Sequence, residues 1–141
     1  MNSKPDILGA SILIVDDQES NVALLTQLLT EAGYTSVTST MDPTQVGALH
    51  AASGYDLILL DVQMPGLDGF GVMAELAAGS ADAYLPVIVL TADTTPETLL
   101  RAVDEGATDF LTKPFNATEI VIRIRNLLQT RVLYRELKAL R

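Results

Sequence analysis

The chain has 141 residues, enough for one domain with a real core, and its 48% apolar content is not that of a disordered segment. It has no cysteine, which excludes disulfides and Cys-based zinc or redox sites, and no apolar run approaches the roughly 18–20 residues of a membrane span. The net charge of −9 is uneven: residues 1–122 carry −14 and residues 123–141 carry +5, so the body is suited to cations and not to nucleic acid, and the short basic tail reads as a solvated helix face.

Residues 1–9 are polar, contain Pro5 and lack the apolar core of a signal peptide; they read as a flexible arm. Ser11-Ile12-Leu13-Ile14-Val15 is a buried-strand run that ends in Asp16 and Asp17. A helix follows from about Gln18 to Ala32, with Val22, Leu25, Leu29 and Ala32 on one stripe and Gly33 as the stop. Ser36 to Thr40 is a more polar strand suited to a sheet edge. Asp42-Pro43-Thr44-Gln45 has the cap, proline and third-position Gln of a helix start, and that helix runs to Ser53 before Gly54.

Leu57 to Leu60 is too short for a buried helix and fits a strand covered on both faces; it ends in Asp61 and the turn residues Pro65, Gly66 and Gly69. Phe70 to Ala78 is a helix with Val72, Met73 and Leu76 inward. Pro86 to Thr91 is another buried strand, ending in a hydroxyl. Thr95-Pro96-Glu97 opens a helix that Gly106 stops, and Thr108 to Thr112 is the last strand, ending at Lys113-Pro114. Asn116-Ala117-Thr118-Glu119 is a capping box, after which no breaker appears before Arg141. Five strand–helix units in strict alternation imply a parallel sheet with helices on both faces and right-handed crossovers.

In such a sheet the carboxyl ends of the strands share one edge, where open α/β sheets bind ligands. That places Asp16, Asp17, Asp61, Thr91 and Lys113 together. Clustered carboxylates repel one another and call for a hard divalent cation, for which Mg²⁺ is suited because it keeps several waters and needs few protein oxygens. A lysine and a hydroxyl opposite can hold the equatorial oxygens of a phosphoryl group. Asp61 alone would be read as a strand end; the whole set carries the functional reading.

The blocks Ile14-Val15-Asp16-Asp17, Leu59 to Gly66, Leu90-Thr91-Ala92 and Leu111-Thr112-Lys113-Pro114-Phe115 resemble, in order and spacing, the receiver domain of two-component response regulators. The resemblance covers roughly residues 10–128 and implies a flavodoxin-like, doubly wound, five-stranded sheet of order 2-1-3-4-5. It implies a cytoplasmic signalling module, phosphorylated on Asp61 by a histidine kinase, with at most slow self-phosphorylation from small donors and slow autodephosphorylation. It assigns Mg²⁺ to Asp16, Asp17, Asp61 and the backbone carbonyl of Gln63. Thr91 and Lys113 would hold the new phosphoryl group across a cis Lys113–Pro114 bond, and Thr91 and Phe110 would form the switch that re-faces the surface of the fourth helix, last strand and last helix. Gln63 and Asp93, each two residues beyond a site residue, would flank the phosphoryl group. His50, the single histidine, lies away from the strand ends and is neither phosphodonor nor ligand.

Other readings are weaker. A haloacid-dehalogenase-like phosphatase wants a second acid two residues after its nucleophile, where this chain has Gln63. A phosphorylation-independent interaction module would show gaps in the acidic pocket, and none is visible. The last helix, Ala117 to Arg141, would be about 37 Å long, more than a body about 30 Å across requires. Its early apolar residues, Ile120, Ile124 and Leu127, can pack on the sheet. Leu133, Leu137 and Leu140 keep a four-then-three spacing with nothing to bury against, so residues 129–141 are expected to form a helical linker or short coiled coil that pairs two receivers. The pattern runs to the last residue without Gly, Pro or a cap, which points to an output domain missing from this chain. The wording from Val121 to Leu137 resembles receivers joined to cyclic-di-GMP enzymes, especially phosphodiesterases of the HD-GYP type. Neither membrane nor direct nucleic-acid contact is expected.

Overall fold

A computed structural model of the chain describes residues 6–62, 69–79 and 85–140. The elements are β1 (Ser11–Val15), α1 (Glu19–Glu31), β2 (Ser36–Thr40), α2 (Val46–Ser53), β3 (Leu57–Asp61), α3 (Gly69–Gly79), β4 (Val87–Thr91), α4 (Pro96–Asp104), β5 (Asp109–Thr112) and α5 (Ala117–Ala139). The strands form one parallel sheet of order β2-β1-β3-β4-β5, the expected doubly wound arrangement. The helix expected from Asp42 onward opens instead as a 3₁₀ turn, Pro43–Gln45, capped by the Asp42 carboxylate on the Thr44 N–H, before α2 proper.

Strand alternation splits the core into two layers. Ile12, Ile14, Leu57, Leu59, Ile88, Leu90 and Leu111 face α1 and α5, where they meet Leu25, Leu29, Ile120, Ile124 and Leu128. Leu13, Val15, Ile58, Leu60, Val87 and Val89 face the other way, onto Val46 of α2, Val72, Met73 and Leu76 of α3 and Ala102 of α4. Every residue of β3 and β4 is buried, whereas edge strand β2 is largely exposed. That is why the central strands read as unbroken apolar runs and β2 does not.

Two terminal segments differ from expectation. Ile7 packs into the α1/α5 layer, and the Leu8 carbonyl accepts the Thr35 N–H at 3.0 Å, so residues 6–9 dock on the body instead of hanging free. The polar residues and Pro5 gave residues 1–9 their flexible reading; burial of Ile7 overrides it for residues 6–9, and residues 1–5 lie outside the described residues. On α5 the fully buried stripe is Ile120, Ile124 and Leu128, with Leu127 only partly covered. Leu133, Leu137 and Leu140 are 46%, 64% and 82% exposed, yet the basic residues of this end of α5 are not all solvated: Arg131 Nε and Arg135 Nη1 lie 3.3 and 2.7 Å from Asp56 Oδ1. Asp56 is buried just before β3, and its Oδ2 accepts the Ser11 N–H at 3.0 Å. One carboxylate thus ties the starts of β1 and β3 to the far end of α5.

His50 lies at this same amino edge. Its Nδ1 accepts the Tyr55 N–H at 3.1 Å, and its ring stacks on Tyr55. Burial, and then the charge of Arg131, hold its pKa below the usual histidine value. A proton lost more readily in the folded state means the unfolded chain binds more protons just below pH 6.5. Stability is therefore complete above that pH and is lost as pH falls toward the lowered folded value. The urea midpoint is expected to be slightly lower at pH 5.5 than at pH 7.5 from this source. A His50→Asn variant, whose side-chain oxygen can accept the same N–H, loses that component.

Candidate functional site

The site is built where β1, β3, β4 and β5 end. The register pairs Asp61 with Leu90 and Thr91 with Thr112, so these strands run out at nearly the same level. Asp16 follows β1 directly and is fully buried; its Oδ1 accepts the Gln18 N–H at 2.9 Å, which fixes the carboxylate at the entry to α1. Asp61, the last residue of β3, is 1% exposed. Gly69 makes the close passage around it possible: a Cβ there would stand 2.6 Å from the Asp61 carbonyl oxygen and 2.5 Å from Val62 Cα.

Oxygens of Asp16, Asp17 and Asp61 lie within 4.8 Å of one another, with Asp17 the most accessible of the three. Lys113 reaches in from the end of β5, its Nζ 3.2 Å from Asp61 Oδ2 and 3.4 Å from Asp16 Oδ2. Its backbone N–H bonds the Thr91 carbonyl at 2.9 Å, and Lys113–Pro114 is cis. Three carboxylates against one ammonium leave an excess of negative charge in a place largely shielded from water. Burial accordingly raises the Asp16 pKa; the Gln18 N–H opposes this, the Asp61 charge adds to it and the Lys113 charge opposes it. Asp16 Oδ2 is buried and meets the Lys113 ammonium only as a 3.4 Å ion pair, without hydrogen-bond geometry. A hard divalent cation suits this donor set: all-oxygen, anionic, and with a buried oxygen that, among the described residues, only the single Lys113 charge faces.

Thr91 is fully buried, and its Oγ1 accepts the Asp93 N–H at 2.9 Å and donates to the Asp93 carbonyl at 3.2 Å. Phe110, half-buried, packs at the margin of the α2/α3/α4 layer. Gln63 lies outside the described residues, so its carbonyl assignment has no geometry here. Asp93 departs from expectation. Its carboxylate grips the start of α4, accepting the Thr95 N–H at 2.9 Å and the Thr98 hydroxyl at 2.7 Å. These bonds hold its pKa below the usual carboxylate value. The Asp-x-Thr-x-x-Thr spacing was a readable signal for this capping arrangement.

Comparison with known proteins agrees with this architecture. The family model described as "Response regulator receiver domain" matches residues 12–125. The response regulator PleD of Caulobacter vibrioides is 39% identical over 131 residues, 93% of this chain and 29% of that protein. The transcriptional regulatory protein TcrA of Mycobacterium tuberculosis is 40% identical over 121 residues, 86% of this chain and 47% of that protein. The chain therefore spans less than half the length of these relatives. Among solved structures, chemotaxis protein CheY4 of Vibrio cholerae superposes with a TM-score of 0.78 at 30% identity, covering 84% of this chain and 98% of that one. NtrX of Brucella abortus gives 0.82 at 30% identity, over 94% of this chain and 30% of that one.

Proposed function

The chain belongs to the receiver domain family of response regulators, the phosphorylated signalling module of two-component systems, and from that membership we propose that Asp61 is its phosphoacceptor. The observation that carries the assignment is the position of Asp61: a buried carboxylate at the carboxyl end of the central strand, beside two further acids, with the Lys113 ammonium 3.2 Å away.

In this reading a carboxylate oxygen of Asp61 attacks the phosphorus of a phosphohistidine on a sensor kinase. The P–O bond forms as the P–N bond breaks, and the imidazole leaves with the electron pair. Lys113 pairs with the anionic oxygens of the incoming group, and Thr91 turns its hydroxyl to one of them. Asp16, Asp17 and Asp61 would hold Mg²⁺, with the backbone carbonyl of Gln63 as the further ligand that the family resemblance implies. The bound ion supplies neutralisation of the phosphoryl and carboxylate charges during transfer. The chain turns over no dedicated substrate; self-phosphorylation from small donors and autodephosphorylation are slow side reactions of the same site.

Phosphorylation shifts a two-state equilibrium in which Thr91 and Phe110 move together and re-face the α4–β5–α5 surface. Residues 10–128 act as the receiver, and residues 129–141 form a helical linker or coiled coil that pairs two copies and leads to an output domain; the wording of α5 favours a cyclic-di-GMP enzyme for that output. Among the described residues no helix is long and apolar enough to cross a membrane, and the module is taken to work in the cytoplasm beside its kinase.

Intact mass after incubation with a small phosphodonor tests the reading. A single phosphoryl adduct is expected with Mg²⁺ and none in chelator. No adduct from a chain that binds Mg²⁺ would leave a phosphorylation-independent interaction module. A second test uses Asp16→Asn, whose amide oxygen can still accept the Gln18 N–H while the charge facing Asp61 is gone. Relief of that repulsion raises the metal-free melting temperature by a few degrees. The native chain gains about 2.7 kcal/mol when Mg²⁺ is a hundredfold above its Kd, and the variant is expected to gain far less at the same concentration.

A further inference from the structure

The Thr91 hydroxyl belongs to a fully buried residue. Both of its hydrogen bonds go to the backbone of one residue, Asp93, whose side chain is in turn committed to α4. Within the same knot Thr95 Oγ1 accepts the Thr98 N–H at 3.4 Å and bonds the Thr98 hydroxyl at 3.2 Å. Asp93 is therefore a joint. Its peptide groups hold the hydroxyl at the end of β4, and its carboxylate holds the first turn of α4.

A charge-assisted bond of 2.7 Å between Thr98 Oγ1 and Asp93 Oδ2 is the strongest contact in this chain of bonds. For Thr91 to point its hydroxyl at a group on Asp61, the donation to the Asp93 carbonyl must be given up. The backbone around Asp93 is free to follow only as far as its grip on α4 allows.

We propose that Asp93, anchored through Thr98 Oγ1, is a positioning residue that holds Thr91 in its resting arrangement and so limits the fraction of the chain ready to hold a phosphoryl group. The proposal rests on the assignment of Asp61 and Thr91 made above. It gives Asp93 a part distinct from that of a negative charge near the site, because the carboxylate is turned onto the helix. It also gives Thr98, a residue of the helix surface, an effect on chemistry at Asp61 that it does not touch.

When the competent state is the minor one, apparent affinity for a ligand of that state scales with its population. Beryllofluoride, a phosphoryl mimic, titrated by calorimetry at saturating Mg²⁺ reads that population. Thr98→Val keeps size and β-branching and removes only the hydroxyl; it is expected to tighten the mimic about fivefold, with no change in charge. Asp93→Asn is expected to act in the same direction, and the double variant should exceed neither single by more than about twofold, the mark of two groups acting through one bond. Unchanged or weaker binding by Thr98→Val overturns the proposal, as does tightening confined to Asp93→Asn, which would be charge alone, or gains that add fully in the double variant. A native chain that binds Mg²⁺ but no mimic overturns the phosphoacceptor reading together with this inference, and is thereby distinguished from a failure of the Asp93 anchor alone.

Discussion

Asp61→Asn is expected to abolish the phosphoryl adduct altogether while leaving the fold intact. The amide is nearly isosteric with the carboxylate, so the fully buried neighbours Leu60 and Leu90 keep their packing. What it lacks is a nucleophilic oxygen and a negative charge. The first loss removes the reaction; the second lowers the repulsion with Asp16 and weakens any Mg²⁺ site that uses Asp61. Lys113 still faces Asp16 Oδ2 at 3.4 Å. The metal-free melting temperature should therefore hold steady or rise, even as the Mg²⁺-induced rise shrinks. Intact mass read beside the melt separates the two effects. An adduct that survives the substitution would place the acceptor elsewhere, and a variant that unfolds would make the missing adduct uninformative about Asp61. Neither is expected from a change that removes one of two buried charges of the same sign.

The parts of this architecture legible in the sequence are those in which one physical demand acts on neighbouring residues. Leu57 to Leu60 and Val87 to Leu90 had to be unbroken apolar runs because helices cover both faces of the sheet. Once five such units alternate, right-handed crossovers bring the strand ends to one edge, so Asp16, Asp17, Asp61 and Lys113 meet without any residue between them announcing it. The parts that were not legible depend on pairs far apart in the chain or on side-chain direction. Nothing local to Asp56 marks it for a role; its partners Arg131 and Arg135 lie 75 and 79 residues away and read as a solvated face. Asp93 was expected to flank the phosphoryl group, but its carboxylate turns onto Thr95 and Thr98 and only its backbone meets the Thr91 hydroxyl. Leu127 packs against the core as expected, but the deepest position falls on its neighbour Leu128, because 3.6-residue periodicity lets the centre of a helix face fall on either of the two.

Asp56→Ala should be among the most destabilising single changes in this chain, and it should spare the chemistry. Asp56 has 6% of its side chain exposed and accepts the Ser11 N–H, while Arg131, at 11%, is nearly as buried. Truncation removes the anion that balances a buried guanidinium and leaves a backbone donor at the start of β1 without its acceptor. Breaking a buried pair by removing one partner costs ~3–5 kcal/mol, but here the second arginine, Arg135, is 56% exposed and largely screened by water. A net loss of about 3 kcal/mol is therefore expected, roughly 10 °C in melting temperature for a domain of this size. Arg135→Ala should cost no more than about 1 kcal/mol by the same screening argument. Asp56 opens the segment that Asp61 closes, five residues or about 16 Å farther along an extended strand. At a temperature where both proteins are folded, the rate of adduct formation at Asp61 should accordingly match that of the native chain. What should change besides stability is the end of α5. With the tie to Asp56 gone, the turns carrying the exposed Leu133 and Leu137 lose a charged anchor, and amide exchange there should rise. Exchange unchanged beyond residue 130, or stability within 1 kcal/mol of native, would show that the extension is held by other contacts and that this carboxylate is not its anchor.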